Sequence, residues 1–421
     1  MNDYESYGNA ELGDKRLSKR LERLLEQLSS DPTASVSAAC NDPYQAKAAY
    51  RFIGNENVTL GAITTITRDV TIANINAAKP PVLLIPQDTT EVNYTNLRAT
   101  SGLGTIGSGK TSMGILVHSA VAISESGEVY GLMAQKSWVR PSEEYGKSED
   151  RKIMPIEDKE SYKWLETMEN AEASFPDGTL VVHVSDREGD IYEYFDKAKE
   201  EGANYLCRRF QNRKIKCENG EEKLDAFVAG LPEAGRITIH VPRDSHTNRS
   251  ARNATLEIKY GICSIMKPTK LAGNKDLPES IEVYVISAVE INPPPGQKGI
   301  RWQLITNVPT ESFEDAVTRI QWYTQRWKIE IFHKTLKSGC KVEELQSESA
   351  DKLIKLIAIY SIIALQIMFI GYAARTQPDE SCETYFSEDE WKILYRVANK
   401  TKVLPEKPPT IHEAVVMCYC S

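Results

Sequence analysis

A chain of 421 residues is long enough for two or three domains and a substantial core. Its formal charge of −8 and pI near 5.5 exclude a protein wrapped in nucleic acid over its whole surface, and leave room for a local basic groove. Eight cysteines without a CxxC pair, of which only Cys418 and Cys420 sit close, and six histidines without ligand spacing argue against a disulfide framework and a zinc site. With no secretory leader pattern, the expected compartment is a reducing cytoplasm.

Residues 1–70 read as a separate helical unit. Glu11–Leu28 places Leu17, Leu21, Leu24, Leu25 and Leu28 at helical spacing, followed by shorter helices at Ser35–Ala39 and Pro43–Phe52. Short helices joined by turns suit a helix-turn-helix-like DNA module, and equally a small cap without a ligand. From about residue 80 the pattern changes to strands. Val82–Ile85 ends at Gln87-Asp88-Thr89-Thr90, and Gly114–Ser124 and Val129–Trp138 follow, joined by a Ser-Glu-Ser-Gly turn. Between them Gly104–Thr111 (GTIGSGKT) fits the phosphate-loop pattern. The segment after it reads as a strand, whereas such a loop must enter a helix whose amides face the phosphates, so no nucleotide is expected.

A helix over Ile156–Ala173, a strand over Leu180–Val184 ending at Asp186, a helix over Ile191–Glu201 and a strand over Tyr205–Arg209 come next. Three strands in a meander, then helix, strand, helix, strand, is the opening of a ribonuclease H-like α/β fold. Residues 210–300 carry alternating strands (Arg236–Val241, Ala254–Tyr260, Glu282–Val289) and the turn Pro293-Pro294-Pro295-Gly296, and read as a β-rich insertion. Arg208, Arg209, Arg213, Lys214 and Lys216 lead into it, with no acid from Tyr205 to Lys216. The α/β pattern resumes at Trp302–Val308. The helix that follows is framed by Ser312 with Asp315 at its start and Gly339 at its end. Leu356–Ala374 is long and apolar enough to resemble a membrane span, but is expected as a helix sandwiched between layers of a large domain.

The chemistry concentrates in YTQRWKIEIFHKTLK. At 100° per residue, Tyr323, Arg326, Glu330 and Lys337 fall within roughly a 60° arc. Trp322, Ile329, Phe332 and Leu336 supply the opposite, core-facing side. Asp88 and Asp186, at strand ends on one edge of a sheet, with Glu330 brought over them by the helix, form a cage of hard oxygens suited to Mg²⁺ or Mn²⁺. Two such ions can activate a nucleophile and stabilise the leaving oxygen of a phosphodiester. Arg326 and Lys337 would bind phosphate and Tyr323 would donate to it, unless Arg326 pairs with Glu330 four residues on. His333 lies near the same stripe, as a residue backing the metal-binding carboxylates, as a DNA contact, or simply packed within the fold.

These motifs resemble one family. ELGDKRL, AAYRFIGNENV, QDTT at Asp88, SDREGDI at Asp186 and YTQRWKIEIFHKTLKSG, with its YxxRxxxExxxxxxK spacing, are similar to DDE transposases of cut-and-paste bacterial insertion sequences, in the YREK-signature group of the transposon five transposase. The resemblance implies that Asp88, Asp186 and Glu330 are the catalytic metal triad for Mg²⁺, with Mn²⁺ able to substitute. It implies that Tyr323, Arg326 and Lys337 contact the DNA backbone, that Trp302 accommodates a flipped base, and that Arg208 is a basic residue beside the site. It also implies cutting and joining of element ends through a hairpin intermediate. Residues 1–70 would bind the terminal inverted repeats, 71–209 and 301–375 would form the catalytic domain, and 210–300 the insertion. The partners would be double-stranded DNA, both ends and target, and a second copy of the chain. Residues 376–421 correspond to a helical dimerisation region that is longer in the family, so an expected alternative is a shortened, non-catalytic inhibitor of transposition; another is a ribonuclease H-like nuclease.

Overall fold

The computed structural model of the chain describes residues 4–9, 12–40, 42–107, 109, 111–141, 154–171, 175–218, 220–241 and 250–420. Four helices come first: α1 (Lys15–Ser30), α2 (Val36–Ala39), α3 (Pro43–Ile53) and α4 (Leu60–Ala78). Asp14, Ser35, Asp42 and Thr59 cap their N-termini through side-chain oxygens. Leu21, Leu24, Leu25 and Leu28 of α1 are fully buried, as their spacing predicts. A boundary at residue 70 falls inside α4. That helix lies along the sheet, where Thr71 Oγ1 donates to the Leu132 carbonyl at 3.1 Å and Asn74 Nδ2 to that of Tyr130 at 2.9 Å.

The next strands are β1 (Val82–Asn93), β2 (Gly104–Thr105), β3 (Met113–Ser124) and β4 (Val129–Trp138). Then follow α5 (Lys163–Ala171), β5 (Leu180–Ser185), α6 (Tyr192–Glu200) and β6 (Asn204–Arg208). β1 and β4 both pair antiparallel to β3, while β5 runs parallel to β1 and β6 parallel to β5. The resulting order, β4-β3-β1-β5-β6, is the ribonuclease H-like arrangement. Two expected elements differ. β1 does not stop at Ile85: Asp88↔Ser119 through Asn93↔Gly114 continue its ladder with β3, so the polar residues after Pro86 stay in the strand. The region expected as one helix from 156 begins instead as two short 3₁₀ turns, at Ile156–Asp158 and Glu160–Tyr162; residues 172 and 173 lie outside the described residues.

The β-rich insertion holds β7 (Lys214–Cys217), β8 (Gly220–Lys223), α7 (Leu224–Gly230), β9 (Gly235–Val241), β10 (Arg252–Met266) and β11 (Ser280–Glu290), and β12 (Arg301–Thr306) returns to the core. It is not a separate layer. β12 pairs antiparallel with β6 and then with β11, so the insertion prolongs the central sheet into a single one, of twelve strands among the described residues.

Downstream lie α8 (Phe313–Gln325), α9 (Trp327–Lys334), a π-helical turn at Thr335–Gly339, α10 (Ala350–Thr376), α11 (Glu388–Asn399) and α12 (Ile411–Cys420). Ser312 and Asp315 form a reciprocal capping box at the start of α8. α10 is long and apolar enough to cross a membrane, with mean hydropathy 2.3, but its apolar window is 72% buried. It packs on β4, α1, α3, α4 and α9, which explains why it is apolar nearly all round.

Candidate active site

Asp88 sits in the middle of β1 and Asp186 directly after β5. The parallel register, which pairs Pro86 with Val184, sets the two aspartates side by side when continued by two residues. The Asp186 carboxylate caps the 3₁₀ turn Arg187–Gly189, accepting from Glu188 N at 2.8 Å. α9 packs across β1 and carries Glu330 to the same place. Burial pushes the Asp88 carboxyl up to about 6. The Thr89 amide and Arg326 oppose that shift, and the negative charges of Asp186 and Glu330 add to it. Two carboxylates from distant parts of the chain therefore act on the buried Asp88.

They do not form a closed ligand cage. Among the described residues no group of three His, Cys, Asp or Glu side chains stands at metal-holding spacing. One reason is visible at Glu330, whose carboxylate forms an ion pair with Arg326 one turn before it. The donor set still fits a hard divalent cation: it is all oxygen, and a carboxyl raised by burial and like charge is one whose ionised form a cation would stabilise. Arg326 engages one of the two Glu330 oxygens, Oε1.

The helix expected to carry the whole signature is broken. α8 ends at Gln325, Arg326 forms the joint, α9 follows, and the π turn shifts Lys337 out of simple helical phase. Tyr323 is 5% exposed, its ring edge-on to Trp302 at 6.0 Å and 5.9 Å from the Arg326 guanidinium. It packs among its neighbours and does not face solvent. Trp302, on β12, is only partly buried. The His333 ring is 6% exposed, with Nδ1 3.9 Å from Asp88 Oδ2, so it is packed against the carboxylate. Burial, with Lys337 nearby, lowers its pKa to about 3 and keeps it neutral. Lys337 Nζ donates to the Glu91 carbonyl at 2.9 Å and pairs with Glu343 at 3.2 Å.

The basic segment after β6 is mostly spoken for. Arg209 pairs with Asp225, Lys214 with Glu221, and Arg213 holds Asp190 through Nε at 2.9 Å and Nη2 at 2.6 Å. Asp190 Oδ2 also accepts from the amides of Phe210 and Gln211, both at 2.8 Å. This buried pair, which the sequence reading missed, fixes the loop beside the site and leaves Arg208, bonded through Nη2 to the Arg301 carbonyl at 3.1 Å, as the cation next to Trp302's strand. Also missed was a buried polar group behind Asp88: Gln87, His118 and His183, each 0% exposed. Its signal was available, since a histidine inside an apolar strand run (GILVHSAVAIS, LVVHVS) requires a buried partner.

The Gly104–Thr111 segment is no phosphate loop. Gly104–Thr105 is strand, and the chain enters β3 rather than a helix; Ser108 and Lys110 lie outside the described residues. Residues 4–58 match the family described as transposase DNA-binding, and residues 166–366, which include Asp186 and Glu330, match the one described as transposase DDE domain. The chain thus carries a transposase DNA-binding domain followed by the DDE domain of a transposase.

Proposed function

We propose that this transposase belongs to the YREK-signature group and cuts and joins the ends of a bacterial insertion sequence, with Asp88, Asp186 and Glu330 as its catalytic carboxylates. The observation that carries the reading is the gathering of Asp186 and Glu330 around the buried Asp88 at one sheet edge, where burial first, and then their negative charge, raise the Asp88 carboxyl to about 6. They would hold Mg²⁺, or Mn²⁺ in its place, and the metal would supply an activated water or 3′-OH and stabilise the leaving oxygen. Arg326, freed from Glu330, would be placed to take up phosphate charge, and Lys337 and Arg208 would border the strand path. The partly buried Trp302, backed by Tyr323, offers a face on which an extruded base can stack. The reaction order implied by the group is nicking of one strand, attack of the freed 3′-OH on the other to form a hairpin, reopening by water, and joining to target DNA.

In this reading residues 1–70 bind the terminal inverted repeats, residues 71–209 and 301–375 form the catalytic domain, and residues 210–300 are its insertion. A second copy is the expected partner, through residues 376–421, and the place of action is the bacterial cytoplasm at the nucleoid. The test is strand nicking on cognate end DNA with Mg²⁺. The chain should nick and then join, whereas Asp186→Ala should bind the same DNA and nick at least about a thousandfold more slowly. End binding without nicking by the unaltered chain would instead identify a non-catalytic inhibitor of transposition. Cleavage without joining would identify a nuclease.

A further inference from the structure

Asp88 is flanked on β1 by two polar residues, Gln87 and Thr89, whose side chains leave the strand on the face opposite to its own. There they meet histidines from both neighbouring strands. Thr89 Oγ1 lies 2.9 Å from His118 Nδ1, His118 Nε2 lies 3.4 Å from Gln87 Oε1, and Gln87 Nε2 lies 3.1 Å from His183 Nδ1. With the amide so placed, the donors are fixed: Thr89 O–H to His118, His118 N–H to Gln87, Gln87 N–H to His183. The chain of bonds thus has one direction and one tautomer for each ring. His118 is packed edge-on against Trp164 at 4.7 Å, and burial, with Lys163, His333 and Lys136 around it, keeps its ring neutral.

This row of side chains spans β3, β1 and β5, the strands that carry or adjoin the two aspartates. It reaches the reacting face through one residue. Thr89, whose side chain is tied to His118, donates its backbone N–H to Asp88 Oδ1 at 2.9 Å. Gln87, His118 and His183 are fully buried and Thr89 partly so, and leaving a buried member of such a row without its partner costs about 1–3 kcal/mol, far more than an apolar filling of the same space would need. An apolar filling would have stabilised the sheet as well, without fixing where Thr89 points.

We propose that Gln87, Thr89, His118 and His183 form a positioning network that sets the direction of the Asp88 carboxylate for metal binding from the far side of the sheet. This rests on the reading of Asp88 as a metal ligand. Partners of this kind commonly tune metal affinity ten- to a hundredfold.

The test uses the full-length chain titrated with MnCl₂, with bound Mn²⁺ followed by electron paramagnetic resonance and folding by thermal melting. Thr89→Val keeps the shape and the amide but removes the hydroxyl; Thr89→Ser keeps the hydroxyl; Gln87→Met breaks the row at a second point. The expected result is Mn²⁺ affinity weakened about tenfold in Thr89→Val and Gln87→Met, and within about twofold of the parent in Thr89→Ser. End-DNA binding in EDTA should be unchanged in all three. Parent-like Mn²⁺ affinity in whichever of Thr89→Val and Gln87→Met folds, even with a lower melting temperature, would overturn the proposal and leave the row as sheet packing only. Asp88→Ala separates the two levels. If it abolishes Mn²⁺ binding while Thr89→Val does not, only the network fails; if it leaves binding intact, the assignment of Asp88 as a ligand fails first.

Discussion

At the scale of the residue, Asp88 shows what burying a carboxylate among other charges costs a protein. A carboxyl raised from 3.8 to about 6 opposes folding once the solution is basic enough to ionise it. The sign follows from proton counting. Between these two values the folded chain holds a proton that the unfolded chain has released, so stability is full below about pH 4 and falls as pH rises towards 6. The loss above that range is at most about 3 kcal/mol. Asp88→Asn removes the ionisation. In metal-free buffer it should melt at the parent's temperature near pH 4, gain an advantage from pH 4 to 6, and keep that advantage at pH 7 to 8. Mg²⁺ should raise the melting temperature of the parent and leave the variant unmoved. An Asn variant less stable than the parent at pH 7.5 without metal would contradict the electrostatic account of the site.

At the scale of the element, the sheet and its helix cover depend on close approach at β4. Gly131 has φ +147°, and a Cβ there would stand 2.1 Å from Thr71 Oγ1, a buried hydroxyl that bonds the Thr67 and Leu132 carbonyls. Gly131→Ala should therefore cost about 2–3 kcal/mol in urea unfolding, from backbone strain together with overpacking. Adding Thr71→Ala should recover only the steric part, and full recovery would show that the backbone conformation carries no strain. The elements themselves were largely legible in the sequence. β3, β4, β5, β10 and β11 follow from runs of β-branched and apolar residues between turns, and α8 from its Ser312/Asp315 box. What the sequence hid is non-local or phase-dependent. The continuation of β1 past Ile85 depends on its ladder with β3, and the merging of the insertion into one sheet depends on β6 finding β12. The joint at Arg326 breaks a helix whose apolar periodicity runs on without interruption. In the site, Asp88, Asp186 and Glu330 could be singled out by position, but which cations were already engaged could not: Arg326 with Glu330 and Arg213 with Asp190 are settled only by packing.

At the scale of the whole molecule, the N-terminal helices are held to the catalytic body by α10, and one buried cation stands at the contact. Lys355 is 7% exposed, pairs with Asp351 at 3.1 Å, and points Nζ at the carbonyls of Ile53 and Asn55, each 3.4 Å away. These carbonyls lie at and just beyond the C-terminal end of α3, where the helix dipole is negative and carbonyls lack helical partners, so the ammonium satisfies both needs. Around it the contact is apolar, with Ala49, Phe52 and Ile53 of α3 in the same core cluster as Leu353, Leu356 and Ile357 of α10. Lys355→Met keeps most of the apolar stem and removes the charge. The predicted loss is about 1.4 kcal/mol of docking, which is tenfold in the opening equilibrium. Amide hydrogen exchange would read this as faster exchange in α1 and α3 with β1 and β5 unchanged, because local opening of a docked unit leaves the sheet closed. Equal acceleration in helices and sheet would mean that the DNA-binding module opens only when the whole molecule unfolds, and that the two domains are one cooperative unit rather than a reader hinged to a cutter.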